Sequence, residues 1–425
     1  MRTMKDSGIE WIGEIPAEWI CDKVCRQFAL IGSGTTPKSD NDSNYIGNIH
    51  WIQSGDINGG ILHNTKNKVS NEVIEKYSAL KVYKAPFIVI AMYGASIGNI
   101  SSSIIDGCVN QACCVLSEGH MNIKYAFYTL KSAKDYLIYN GVGGGQPNIS
   151  QDIVKQLRLP VPSIREQEMI ADYLDKKCAE IDAVIEKTKA TIEEYKKLKQ
   201  SIITEAVTKG IRGDRPMKES GIEWIGDIPA EWDVVRIKTL FDYRNERNFK
   251  PLEEVNLISL YTDLGVVQHC DLEATTGNKA SNADGYKLVY EDDIVVNIIL
   301  CWMGAIGRSA YTGVTSPAYD VYSPKEGTNT KFYHHLFRTQ GFSGDCYKVG
   351  RGIMAMRWRT YSDQFRAIKV VAPPQEEQQE IVDYLDKKCA EMDTLIARKT
   401  ALLAEMESYK KSVIYEYVTG KKEVV

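Results

Sequence analysis

From residue 174 onward, apolar or small side chains recur in alternating steps of four and three. The positions are Leu174, Cys178, Ile181, Ile185, Thr188, Ile192, Tyr195, Lys199, Ile202 and Ala206. A second stretch keeps the same register through Leu385, Cys389, Met392, Ile396, Lys399, Leu403, Met406, Lys410, Val413 and Tyr417. This spacing, with charges between, predicts two long helices that each carry a coiled-coil stripe. No proline or glycine interrupts either run before Gly210 and Gly420, while Pro160, Pro162, Pro373 and Pro374 mark where each helix can begin. About 40 residues of helix span roughly 60 Å. Two such stripes in one chain pair most simply antiparallel, the alternative being that each docks on its own domain. The pairing positions expected to matter most are Leu174, Ile181, Ile185, Ile192 and Ile202, with Leu385, Met392, Ile396, Leu403 and Val413 opposite.

Between the helices the pattern changes. Residues 20–160 and 233–372 are rich in β-branched and aromatic side chains, broken by Gly, Asn and Asp. The runs from Phe87 to Tyr93 and from Ile294 to Leu300 are apolar enough for buried strands, and glycine turns follow at Gly94–Gly98 and Gly304–Gly307. Helical patches fall near 122–138 and 329–340. The fold class is therefore α/β in the mixed α+β sense, with two mixed domains and two long paired helices. The expected boundaries are 1–163, 164–210, 211–374 and 375–425.

The chain is also written twice. Residues 4–19 read MKDSGIEWIGEIPAEW and residues 217–232 read MKESGIEWIGDIPAEW; the two differences exchange Asp and Glu. The segment DYLDKKCAE occurs at both 172–180 and 383–391, with an EQ pair ahead of it at 166–167 and again at 377–378. The ends of each half repeat while the middles have diverged. Trp11, Trp19, Trp224 and Trp232 lie in the repeated leader, where identical residues suit anchoring better than reading two different ligands. Pro16 and Pro229 would fix a turn beside them.

Composition narrows the function. The 425 residues are 44% hydrophobic and 25% charged, ordinary globular values. No charged-then-apolar leader and no long uncharged apolar run are present, so a cytoplasmic protein with no membrane association is expected. Ten cysteines without CxxC or zinc spacing read as small buried hydrophobes. Fifty-two basic against 56 acidic side chains leave a net charge of −4, which argues mildly against an autonomous nucleic-acid binder.

No catalytic constellation stands out: there is no phosphate-cradling GxxxxGK[ST], no GxGxxG after a strand and no HExxH. The segment Ala372-Pro373-Pro374-Gln375 does not match an amino-methyltransferase signature. His334 and His335 are adjacent on a helical patch and cannot share a face, which speaks against a metal. The glycines of 141–146 read as a loop rather than a phosphate cradle. Positive charge does gather at 341–372, where Lys348, Arg351, Arg357, Arg359, Arg366 and Lys369 oppose Asp345 and Asp363, with Tyr347 and Trp358 between them. Guanidinium forks suit guanine edges or phosphates, and amides such as Gln146, Asn148 and Gln151 in the first half suit adenine. A solvated face is the plainer account of such a run.

The duplicated leader, the hinge Leu159-Pro160-Val161-Pro162 running into Glu166-Gln167, and its counterpart Ala372-Pro373-Pro374 running into Glu377-Gln378 resemble one family. It is the specificity subunits of type I restriction-modification systems. Gly34-Thr35-Thr36-Pro37 followed by Trp51-Ile52-Gln53-Ser54-Gly55-Asp56 is similar to the opening of a family recognition domain; the second half lacks a Gly-Thr-Pro element. The resemblance implies two target-recognition domains, each reading one half of a split double-stranded DNA site. It also implies a helical ruler with pseudo-twofold repeat, and docking of two methyltransferase and two restriction subunits. The chain itself would hold no catalytic residue, metal or cofactor, with S-adenosylmethionine, ATP and Mg belonging to the partners. Candidate readers are Thr36, Lys38, Gln53, Ser54, Asn58, Tyr93, Ser96, Gln146 and Asn148 in the first half. In the second they are Arg244, Arg247, Tyr261, Trp302, Arg308, Arg351, Arg357 and Arg359. Three alternatives stand beside this: a scaffold that binds proteins or glycans, an autonomous enzyme with cryptic motifs, and a silent allele that donates domains to another specificity subunit.

Overall fold

In a computed structural model, the run from Phe87 is apolar at every position because its strand is covered on both faces. Ile88 and Ile90 point into one core, with Tyr125 and Leu130, while Phe87, Val89 and Ala91 point into a second core with Ile52 and Val115. The second half repeats this: Ile294 and Val296 face one core, Val295 the other. The structure describes residues 2–38, 42–141, 148–269, 282–352 and 358–424. The chain forms two compact units, Met1–Lys189 with Ala401–Val425, and Ala190–Thr400.

Each unit is built on the same sheet order. In the first, strands Phe28–Gly32, Cys113–Gly119, Phe87–Ala91 and Ile100–Ser103 lie side by side and antiparallel. In the second, the counterparts are Phe241–Arg244, Tyr319–Pro324, Ile294–Asn297 and Ile306–Arg308. A two-stranded ribbon closes each unit, Ile20–Lys23 with Arg158–Val161 and Asp233–Arg236 with Lys369–Ala372. What is added differs. The first unit carries a three-stranded sheet of Ile49–Ile52, Asn67–Val69 and Gly107–Val109. The second carries a hairpin, Ile258–Tyr261 with Gly265–Gln268, and the pair Lys287–Val289 with Gly313–Thr315.

The predicted strands are shorter than their apolar runs. The second ends at Asn297 because its side chain accepts the N–H groups of Ile299 (3.0 Å) and Leu300 (3.2 Å), turning the chain out of the ladder. The predicted helical patches are Ile123–Ser132 with Lys134–Tyr139, and Thr330–Phe337 with Gln340–Val349.

The long helices are Ile164–Lys209 and Gln375–Val418, somewhat longer than expected. Both end at a left-handed glycine, Gly210 at φ +76° and Gly420 at φ +70°. Each unit holds the start of one helix and the end of the other, running antiparallel. In the first unit Tyr173 stacks near Tyr417, ring centres 4.4 Å apart, and Asp182 pairs with Lys410 at 2.6 Å. In the second, Arg212 pairs with Glu380 at 2.9 Å and Lys199 with Asp393 at 2.7 Å. Along the stripe Leu174, Ile181, Ile185, Ile192, Leu385 and Val413 are buried, and Ile202, Met392, Ile396 and Leu403 are half-buried. Lys199 and Lys410 are the two stripe positions that make the cross-helix ion pairs, their stems lying along the seam.

The repeated leader meets the repeated helix start. Trp19 donates its indole N–H to Glu166 (3.0 Å), and Trp232 donates to Glu377 (2.8 Å). Arg2 completes the first triangle at 2.5 Å and Arg215 the second at 2.6 Å, each guanidinium lying over its tryptophan. The neighbouring glutamines also act alike: Gln167 donates to the Pro162 carbonyl and accepts from Asn122 N–H, as Gln378 does with Pro373 and Asn329. The tryptophans are thus anchors. Nine described cysteines are free, but Cys25 is exposed and Cys21 and Cys389 half-buried, so the expectation of burial fails there. Cys25 lies on a single surface turn, Val24–Gln27, of which only Val24 turns inward.

Glu377 is wholly buried and Arg215 11% exposed, whereas Glu166 and Arg2 are 23% and 24% exposed. Arg215→Ala should therefore cost about 3 kcal/mol by stranding a buried carboxylate. Arg2→Ala should cost only about 1 kcal/mol. Urea unfolding of the two variants checks this; equal losses would mean that burial does not set the strength of the clamp.

Candidate nucleic-acid interface

In the first unit the loop Asn110-Gln111-Ala112 draws four separated segments together. Asn110 N–H donates to the Ile52 carbonyl (3.0 Å), which brings in Gln53 and Ser54. Gln111 accepts from the Thr36 hydroxyl at 2.5 Å. Met92 N–H reaches the Ala112 carbonyl (2.8 Å), and Ile149 N–H reaches the Met92 carbonyl (2.8 Å), placing Tyr93 and Asn148 beside them. Thr36, Lys38, Asn58 and Asn148 are exposed, and Gln53, Ser54, Tyr93 and Ser96 half-buried. Gln53 accepts from Asn67 (2.9 Å), which fixes its amide orientation. Asn58 accepts from Gly60 N–H and Lys38 takes part through its backbone. Gln146 lies outside the described residues. The sequence reading missed Gln111, an exposed amide at the centre of the cluster; its signal is a polar turn between the two apolar strands around Cys108 and Cys113.

The second unit gathers a different chemistry at the equivalent place. Thr360 N–H meets the Ile298 carbonyl at 2.9 Å, the counterpart of the bond from Ile149 to Met92. Beside it Trp358 stacks on Tyr347 with ring centres 5.0 Å apart and planes 22° apart, and Trp302 packs on Tyr347 at 5.6 Å. Arg351 and Arg359 exchange backbone hydrogen bonds of 2.8 and 2.9 Å, and among the described residues neither guanidinium has an acidic partner. Trp302, Arg351 and Arg359 therefore converge. Arg357 lies outside the described residues.

The other second-half candidates stand apart from that cluster. Arg244 makes a two-pronged pair with the buried Asp293 (2.9 and 3.1 Å) and lies over Tyr290. Burial raises the Asp293 pKa, an effect the Arg244 hydrogen bonds oppose. Arg308 pairs with Asp292 at 2.5 Å, and although burial raises that carboxyl, the Arg308 and Thr330 bonds hold it below its ordinary value. Arg247 donates to the Gly285 carbonyl and to Asn245. Arg244 and Arg308 thus sit by the Asp292–Asp293 end of strand Ile294–Asn297, while Trp302 lies past its other end. Tyr261 is on the Ile258–Tyr261 hairpin.

His334 and His335 are explained by burial rather than metal binding. The His334 Nδ1 accepts from Arg308 N–H at 3.1 Å, so the ring is held neutral. Burial, then the neighbouring His335, Arg338 and Arg308, pushes its pKa down to about 3. His335 is lowered to about 4, chiefly by burial, with Asp386 opposing and Lys199, Arg338 and Lys331 adding. Among the described residues no cluster of His, Cys, Asp and Glu could hold a metal, and no helix is long and apolar enough to cross a membrane.

A family model for the type I restriction modification DNA specificity domain matches residues 25–194 and again 229–404. The chain belongs to this family. It is 31% identical over 130 residues to the type I restriction enzyme MjaVIII specificity subunit of Methanocaldococcus jannaschii, covering 31% of this chain and 29% of that one. With the EcoDI specificity subunit of Escherichia coli it shares 22% identity over 330 residues, 70% of each chain. Two solved structures share the fold at 14% identity. One comes from work on complex assembly and conformational transition of the type I R-M system, with TM-score 0.71, covering 96% of this chain and 99% of that one. The other is the HsdS subunit of Thermoanaerobacter tengcongensis, with TM-score 0.53 and coverage of 96% and 98%.

Because the folded His334 pKa lies below the unfolded 6.5, its neutral form contributes stability that is complete above pH 6.5 and is lost as pH falls toward 3. Each such imidazole adds a slope of about 1.4 kcal/mol per pH unit in that window. His334→Asn keeps an acceptor for Arg308 and should remove one proton's worth of that slope. Unfolding titrations between pH 4 and 7 check it, an unchanged slope being the contrary result.

Proposed function

We propose that this specificity-family chain is the non-catalytic, cytoplasmic DNA-reading subunit of a type I restriction-modification complex. Each unit reads one half of a split double-stranded site. The observation that carries this reading is a frame repeated residue for residue, bearing different chemistry at equivalent places. A repeated frame is what two copies of one partner need in order to dock alike. Different surfaces are what two different half-sites need. The first unit offers amides and hydroxyls suited to adenine edges; the second offers guanidinium groups, without acidic partners among the described residues, beside stacked aromatics, suited to guanine edges and phosphates.

In this reading two methyltransferase subunits bind the frame and two restriction subunits complete the complex. S-adenosylmethionine, ATP and Mg are bound by those partners, which supply all the bond-making chemistry. The paired helices act as the ruler. A helix of 46 residues is about 69 Å long, about twice the 34 Å advance of one DNA turn of about ten base pairs, so helix length selects the gap between half-sites. The mild net acidity is tolerable because partner subunits share the phosphate contacts.

Co-expression with the adjacent methyltransferase subunit, in a host lacking adenine methylation, tests the reading. Sequencing should find modified adenines in a split motif with one fixed gap; a stable complex that modifies no adenine would count against it. Within such a motif, Arg351→Ala or Arg359→Ala should weaken or relax one half-site by about 1–3 kcal/mol without lowering the folding stability. Arg244→Ala should instead lower stability, since it leaves Asp293 buried and unpaired. Affinity and melting measurements on the same variants separate the two effects.

A further inference from the structure

In each unit side chains of the helical layer reach across to the loops that carry candidate readers. In the second unit Arg338 follows the helix Thr330–Phe337 and is half-buried. Its Nη2 donates to the carbonyls of Thr262 (3.0 Å) and Asp263 (2.8 Å), and its Nη1 donates to Ile306 (3.1 Å). One planar fork therefore fixes the turn between Tyr261 and Gly265 against strand Ile306–Arg308. The fit is close: Gly265 has φ +76°, and a Cβ there would lie 3.3 Å from the Arg338 Nη1. His334, one helical turn earlier, accepts from Arg308 N–H and pins the same strand. At the tip of the turn Leu264 is 60% exposed.

The first unit uses a different side chain for the same work. Lys131, near the end of helix Ile123–Ser132, donates to the Gly59 carbonyl at 2.8 Å, next to Asn58. Lys134 donates to Asn99 at 2.7 Å, and Asn99 donates to the Ile57 carbonyl at 3.1 Å. The 57–60 loop and the turn carrying Ser96 are thereby tied to two consecutive helices, Ile123–Ser132 and Lys134–Tyr139.

Turn carbonyls at a surface can be satisfied by water, so an ordered arginine is not required to solvate them. Ordering a long side chain costs entropy, which a fixed loop position would justify. We propose that Arg338 is a positioning residue for half-site reading: it sets where the 261–265 turn stands against strand 306–308. Lys131 does the same for the 57–60 loop. This rests on the reading of these loops as DNA-facing. A lysine at 338 could meet one carbonyl but not span the three, because an ammonium is a point charge and not a fork.

The test uses Arg338→Lys and Arg338→Gln in the full complex with its partner subunits. Hydrogen exchange at amides 262–267 should quicken about tenfold, while strand 294–297 stays protected. Base preference in the half-site of the second unit should broaden, with the other half-site unchanged. Unchanged exchange at 262–267 would overturn the proposal. So would quickened exchange with unaltered preference, or equal loss at both half-sites, which marks general damage. A parent complex that modifies no split site sinks the half-site reading and the specificity role with it, while the exchange measurement separately shows whether Arg338 holds the turn.

Discussion

A carboxylate at the start of each long helix, wholly buried in the second unit and 23% exposed in the first, governs how each unit is put together. Glu166 and Glu377 each accept from a leader indole and pair with a leader arginine, and the next residue, Gln167 or Gln378, bonds both the proline hinge and the first turn of a domain helix. Leader, hinge, helix start and domain helix are joined by two adjacent side chains. Burying a carboxylate is costly unless its partners are present, which binds the partners of the wholly buried Glu377 more tightly than those of Glu166. The clamp accounts for the nearly identical leaders and the repeated Glu-Gln pair, while the rest of the hinge and 140 or so residues between have drifted.

Beyond that frame the constraint is looser. Once the four-stranded order and the closing ribbon are kept, a sheet may be added in one unit and a hairpin in the other without disturbing the clamp. The candidate surfaces follow the additions. In the first unit polar side chains meet around Gln111; in the second, Arg351 and Arg359 flank an aromatic stack. Both surfaces adjoin the turn that leaves the central strand, because the Ile149 to Met92 and Thr360 to Ile298 bonds place the same return segment there.

The periodic features were legible in the sequence. The 4-3 stripe marked both helices, because it extends over more heptads than a strand or loop can carry, and the doubled leader marked the repeat. Shorter features were less so. Strand ends were overrun because apolar content does not show that Asn297 will bond the next two N–H groups. Arginines were harder still. Composition made Arg244, Arg308, Arg351 and Arg359 alike, yet the first two are tied to Asp293 and Asp292, acidic residues 49 and 16 positions away. Only the fold shows which guanidinium groups are paired to an acidic residue among the described residues.

If the frame is shared and reading belongs to each unit's own insertion, as proposed, the insertions should carry their half-sites with them. The segments between Val24 and Leu157 and between Ile237 and Ile368 are bounded by equivalent backbone bonds of 2.9 and 3.0 Å, which makes them interchangeable in principle. The most direct measurement replaces 237–368 with a second copy of 24–157 and maps modified adenines in the assembled complex. The account predicts an inverted-repeat site in which both halves match the half-site of the first unit. A folded, assembled chimera that kept the original asymmetric site would contradict it.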